Sequence, residues 1–253
     1  MDSQNGRTRE LAAVPRVDLG SLRVKVFADG ASIEGIRELC RNPLIAGLTT
    51  NPTLMRKAGV TDFEAFAREL LGIVSELPVS FEVFSDEPDE MLRQARKIAS
   101  WGDNVYVKIP VTDTSGTFMG DVVRELVADG LKVNVTGMLT LEQVERSAEA
   151  LGEEVPAYAS VFAGRIADTG VDPLPIMSEA LEILSSRPNI ELIWASPREI
   201  LNIVQADSIG CHVITVTHDL LKKLPLIGRD LAEFSLDTVK MFHGDARAAG
   251  YTL

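Results

Sequence analysis

The sequence is poor in the side chains that bind metals or cross-link chains: its 253 residues include two cysteines and three histidines. Cys40 and Cys211 lie far apart without ligand spacing, so they offer neither a disulfide framework nor a zinc site. Both are expected to be buried free thiols in a reducing compartment. His212, His218 and His243 show no metal spacing either, and no metal or cofactor is expected. No apolar run approaches about 18 residues, and no charged N-terminal segment leads into an apolar one. The expectation is a soluble, cytoplasmic protein without a membrane partner. Positive charge is also short: 25 Lys and Arg against 37 Asp and Glu give a formal net charge of -12. That sign argues against nucleic acid held by counterion release, although a local arginine cluster can still serve a small anion. A glycine-rich dinucleotide turn is missing too, because the turn after the first strand reads FADGASIEGI rather than G-x-G-x-x-G.

What the chain does have is alternation. Short apolar, β-rich runs near 24–28, 44–50, 79–84, 104–111, 131–136, 157–163, 191–196 and 212–217 read as strands. Between them lie amphipathic stretches such as TDFEAFARELLGIVSEL, PDEMLRQARKIASW, GDVVRELVADG, TLEQVERSAEALG and DPLPIMSEALEILSSR. Thr61, Thr140 and Asp172 are candidate N-caps, and Gly130 and Gly152 sit where C-terminal glycines belong. Strands alternating with helices imply parallel pairing, and about eight such units in this length fit a closed TIM (β/α)₈ barrel of the α/β class. A single catalytic domain is expected over 23–253, with a helical C-terminal segment, preceded by an arm or short helix over 1–22.

A barrel predicts that chemistry collects at the C-terminal ends of its strands. The polar residues of the strands fall there. Strand one ends in Asp29, and strand two runs into Thr49, Thr50 and Asn51. Strand three carries Glu82 and strand four Lys108, in the otherwise apolar run NVYVKIPVT. Strand five has Asn134 and Thr136, strand six Ser160 followed by Phe162 and Arg165, and strand seven ends in Ser196 and Arg198. A buried ammonium is costly unless it is paired or gives up its proton, which a second cation nearby promotes. A neutral amine there can attack a carbonyl to form a Schiff base, whose protonated imine is an electron sink for carbon–carbon cleavage. Asp29 is the candidate base at the hydroxyl that becomes an aldehyde, and Glu82 with Thr136 could hold a proton-shuttling water. Asn51 and Asn134 suit substrate hydroxyls, and Thr50 and Phe162 beside them are expected to contact substrate. Arginine forks at 165 and 198 match phosphate geometry.

The segments FADGAS, GLTTNPTL, FEVF, VKIPVT, VNVT, SVFAGRIAD and WASPREI resemble the transaldolase family, in the family's order, along nearly the whole length after residue 22. The resemblance implies a TIM barrel without metal or cofactor. It implies transfer of a dihydroxyacetone unit from a ketose phosphate, sedoheptulose 7-phosphate or fructose 6-phosphate, to an aldose phosphate in pentose phosphate-type metabolism. It makes Lys108 the Schiff-base lysine, Asp29 the acid/base, and Glu82 and Thr136 the pair that positions water. Asn51 and Asn134 then orient substrate, and Ser196, Arg165 and Arg198 bind phosphate. Fructose-6-phosphate aldolases, which resemble transaldolases, usually carry glutamine in place of Glu82 and tyrosine in place of Phe162, so both positions favour transfer over release of free dihydroxyacetone. A non-catalytic sugar-phosphate-binding barrel and a transaldolase of a specialised sugar pathway are the other readings. Pro197, where relatives often have an aromatic residue, and Val161, where many have proline, depart from the family pattern. The family's assemblies imply a homo-oligomer, a ring-type decamer or a dimer, with the C-terminal helix available to pack on a neighbour.

Overall fold

A computed structural model of the chain describes residues 19–252. These fall into two compact units: Leu22–Leu224, and a second made of Leu19–Ser21 with 225–252. The expected N-terminal arm lies, over residues 1–18, outside the described residues.

The first unit is a closed barrel of eight parallel strands in sequential order. The strands are β1 (Lys25–Asp29), β2 (Ile45–Thr49), β3 (Val79–Glu82), β4 (Val105–Pro110), β5 (Val133–Met138), β6 (Ala157–Val161), β7 (Ile190–Trp194) and β8 (Val213–Thr217). Every apolar run read as a strand is one. They are legible because a strand buried on both faces needs an almost continuous apolar sequence. The helices between them are α1 (Ile33–Leu39), α2 (Pro52–Lys57), α3 (Phe63–Ile73), α4 (Pro88–Ala99), α5 (Gly120–Ala128), α6 (Leu141–Leu151), α7 (Ala163–Asp168), α8 (Pro173–Leu184) and α9 (Leu201–Ser208), and α10 (His218–Leu221) follows β8.

The caps explain where helices start. Thr140 forms a capping box with Gln143, and the Asp172 carboxylate accepts from Leu174 N. The cap of α3 is Asp62 rather than Thr61, its carboxylate accepting from Ala65 N at 3.0 Å. Aspartate and threonine are both good caps, and the backbone chose the one nearer the first apolar residue. Gly130 (φ 77°) and Gly152 (φ 64°) close α5 and α6 in the left-handed region.

Phe27, Tyr158, Ile193 and Val213 form a buried apolar core cluster. The rings of Phe27 and Tyr158 meet edge to face with centroids 5.7 Å apart. Gly47 on β2 gives Phe27 its room, because a Cβ there would stand 2.6 Å from the ring. Outside the strands, Met91, Leu126, Val144, Leu151, Met177 and Leu184 pack the helices against the barrel. Trp194 is fully buried in this packing, as expected of a structural residue. Burial pushes the Cys211 thiol up to about 12, whereas Cys40 is only half-buried.

In the second unit, the segment expected to be helical forms α11 (Leu231–Ala248), capped by Asp230. No residue of α11 is buried, and its apolar side chains Leu231, Phe234, Leu236, Val239, Met241 and Phe242 are exposed. No helix among the described residues is long and apolar enough to cross a membrane.

Candidate active site

The C-terminal ends of the strands surround a cavity of about 510 Å³. Lys108 of β4 enters it with only 5% of its surface exposed. In register, Glu82 of β3 stands opposite Lys108, and Lys108 opposite Asn134 of β5. Lys108 Nζ lies 2.8 Å from Glu82 Oε2 and donates to the Thr50 carbonyl at 2.9 Å. The pairing accounts for a lysine in an apolar strand. A charge withdrawn from water is tolerable when a carboxylate and a carbonyl replace its hydration. A second cation beside this amine is the expectation from the sequence; its partner is instead an acid. A neutral nucleophile therefore requires the Lys108 proton to leave, and Glu82 is placed to receive it.

Asp29, the last residue of β1, faces the same cavity. Its Oδ1 accepts from Thr49 Oγ1 at 2.8 Å, and Asn51 Nδ2 approaches Oδ2 at 3.5 Å. The Thr49 and Thr215 hydroxyls lie 2.5 Å apart, so β8, β2 and β1 share a hydroxyl–hydroxyl–carboxylate chain. Burial pushes the Asp29 carboxyl above the ordinary aspartate range. The charge of Lys108 and the bonds from Thr49 and Asn51 oppose that rise, while the charge of Glu82 adds to it. Such a carboxyl can hold and return a proton under milder conditions than a free aspartate.

Asn51 is fixed by a second duty. As N-cap of α2 its Oδ1 accepts from Leu54 N at 2.9 Å, with Pro52 at the first helical position, so its amide NH₂ is the part turned toward Asp29. Thr136 lines the cavity, and its Oγ1 is buried without a hydrogen-bond partner among the described residues. On the far side Phe162, Arg165, Ser196, Pro197 and Arg198 form the wall. Arg165 sits on the short helix α7, with its guanidinium 5.8 Å from the Phe162 ring centroid. Arg198 lies in the loop before α9. Pro197 is buried within the wall, and Val161 is buried with its carbonyl taking Ala195 N.

Two residues expected to touch substrate do not reach the cavity. Thr50 is fully buried and its hydroxyl donates to the Ser80 carbonyl at 3.0 Å. What Thr50 offers the site is its backbone oxygen, which holds Lys108. Asn134 is likewise fully buried, donating to Ser80 Oγ at 3.1 Å and accepting from Ser160 Oγ at 2.7 Å. It braces Ser160, which does line the cavity. Reading residues singly also missed Thr215 and Lys57, which line the cavity. Thr215, a polar residue in the apolar run HVITVT, carried the same signal as Lys108. Lys57, at the end of α2, lines both this cavity and an adjoining one of about 240 Å³ shared with Asp29, Thr217 and His218.

The chain is similar to known proteins along most of its length. The model of the family described as Transaldolase/Fructose-6-phosphate aldolase matches residues 26–252. A protein of Dehalococcoides mccartyi named "Probable transaldolase" is 32% identical over 218 residues, covering 85% of this chain and 97% of that protein. One of the same name from Desulforapulum autotrophicum is 36% identical over 222 residues, covering 86% and 98%. Among solved structures, a mandelate oxidase mutant superposes with a TM-score of 0.55 at 14% identity, covering 81% of this chain and 72% of that one. A likeness so remote in sequence speaks to the barrel alone.

Proposed function

The chain belongs to the transaldolase/fructose-6-phosphate aldolase family, and on that premise we propose that it is a transaldolase working through a Schiff base on Lys108. The observation that carries the reading is the placement of Lys108 Nζ, inside the barrel, 2.8 Å from Glu82, with Asp29 on the same cavity.

In the proposed cycle Glu82 accepts the Lys108 proton and the free amine attacks the ketose carbonyl. Loss of water from the adduct gives a protonated imine. Asp29 then takes the proton from the hydroxyl on the far carbon of the scissile bond, the carbon that becomes the aldehyde. That bond breaks, its electron pair moves to the iminium nitrogen as an enamine, and an aldose phosphate leaves. The enamine carbon attacks an incoming aldose phosphate, Asp29 returns the proton to the new alkoxide, and water hydrolyses the imine. Glu82 and the unpartnered Thr136 hydroxyl are suited to seat that water. Asn51 and Ser160 are suited to sugar hydroxyls, and Arg165, Ser196 and Arg198 to the phosphate.

Glu82 and Phe162 support transfer over release. A carboxylate helps to reprotonate and hydrolyse the imine after the acceptor has added, and a phenyl ring cannot supply the proton that direct release of dihydroxyacetone requires. A panel of ketose phosphate donors, among them sedoheptulose 7-phosphate and fructose 6-phosphate, against aldose phosphate acceptors tests the reading, with Lys108→Ala as control. Transfer that depends on Lys108 is expected. Rapid formation of free dihydroxyacetone that no acceptor alters points to the lyase instead. The exposed apolar side chains of α11 support a homo-oligomer, a ring-type decamer or a dimer, which light scattering of the purified chain tests.

A further inference from the structure

The two arginines of the phosphate wall are differently committed. Arginine has five N–H donors, and four of those on Arg198 are taken. Nε donates to Asp168 Oδ1 at 2.8 Å and Nη2 to Asp168 Oδ2 at 2.5 Å, which occupies the fork edge a phosphate would use. Nη1 donates to both the carbonyl and the hydroxyl of Ser196, each at 2.9 Å. The backbone of Arg198 is held as well, its N–H donating to Asn202 Oδ1 at 2.8 Å.

Ser196 is what this bracing holds. Among the described residues it is the one non-glycine with positive φ, at 60°. A left-handed backbone is unfavourable for such a residue and persists when its surroundings fix it. Its carbonyl is fixed between Arg198 Nη1 and Gly164, where a Cβ would stand 1.6 Å from the oxygen. With an N–H of Arg198 on its oxygen, the Ser196 hydroxyl keeps its own proton to donate into the cavity it lines. Arg165 is free by contrast. Its guanidinium makes no hydrogen bond or ion pair with a described residue. The hydrogen bonds from Arg198 hold the Asp168 carboxyl below the usual range, against a small rise from burial, and the charges of Arg198 and then Arg165 add to the lowering.

We propose that Asp168 is a positioning residue of the phosphate end: acting through Arg198 it aims the Ser196 hydroxyl into the cavity, beside the uncommitted guanidinium of Arg165. The proposal rests on the phosphate assignment made above. The division of labour predicts unequal losses, and a double-mutant cycle reads it without relying on turnover. Binding of glycerol phosphate, an unreactive phosphate monoester, is measured by titration calorimetry on the full chain and its variants. Asp168→Asn and Ser196→Ala are each expected to weaken binding about tenfold, the worth of one hydrogen bond to a charged group. Because one acts through the other, the pair together should lose little more than Ser196→Ala alone. Arg165→Gln should weaken binding about a hundredfold, and Asp168→Glu should recover part of the loss. Equal or tighter binding by Asp168→Asn shows a carboxylate that competes with phosphate and overturns the proposal, as does an additive cycle. Wild-type chain that does not bind the monoester at all overturns the phosphate assignment beneath it as well.

Discussion

Replacing Glu82 by glutamine removes a charge and almost nothing else, and it separates the two duties assigned to that side chain. The side chains of Lys108 and Glu82 are 7% and 19% exposed, so the pair is screened little by solvent. Deleting one partner of a buried pair costs about 3–5 kcal/mol. Here the amide oxygen of glutamine still accepts from Nζ and the Thr50 carbonyl remains at 2.9 Å, so the residual cost is about 2 kcal/mol. For a domain of this size that lowers the melting temperature by about 4–8 °C. The kinetic effect is larger. Glutamine cannot receive the Lys108 proton or act on the hydrolytic water, and loss of a general acid–base group slows a reaction about 10²–10⁴-fold. Transfer rates from a ketose phosphate to an aldose phosphate, measured beside thermal unfolding, read both. A variant that transfers within about tenfold of the wild-type rate would show that Glu82 moves no proton in the limiting step, and the proposed cycle would be wrong there.

Thr49→Val removes a hydrogen bond that stabilises the ionised form of Asp29. The carboxyl then keeps its proton to still higher pH, and the acid limb of the kcat/KM profile should move upward; a static or downward shift refutes Asp29 as the base. The same group sets a stability trend. Its folded pKa is raised, so the folded chain binds this proton more tightly than the unfolded one, and its contribution is lost as pH rises from the ordinary aspartate value through the folded one. Asp29→Asn should therefore be inactive yet melt higher than wild type at neutral pH, and a lower melting temperature there contradicts the assignment. Thr50→Val should cost about 1 kcal/mol of stability for its lost bond to Ser80 and leave KM within about twofold, because only its backbone serves the site; a large rise in KM restores the side chain as a substrate ligand.

The barrel was legible because its strands are apolar runs, and the site because polar side chains interrupt them. An amine at 108 or a carboxylate at 82 in such company needs a reason, and the reason is a cavity. What the sequence could not say is which of two neighbouring polar residues faces inward. Thr49 and Thr50 sit at a strand end, where successive side chains alternate; Thr49 meets the cavity and Thr50 turns into the wall. Asn134 shares its level with Lys108, yet Ser80 and Ser160 cover both ends of its amide. Asp168 and Lys57 were invisible for another reason. Each is the last residue of a short helix, an exposed charge with no apolar pattern around it to mark it out.

Reductive trapping tests the central claim most directly. The chain is incubated with fructose 6-phosphate, reduced with borohydride, digested and weighed by mass spectrometry. The account predicts one covalently labelled lysine, Lys108, and no label in Lys108→Ala. Label on any other lysine, or none on a chain that still transfers, contradicts it.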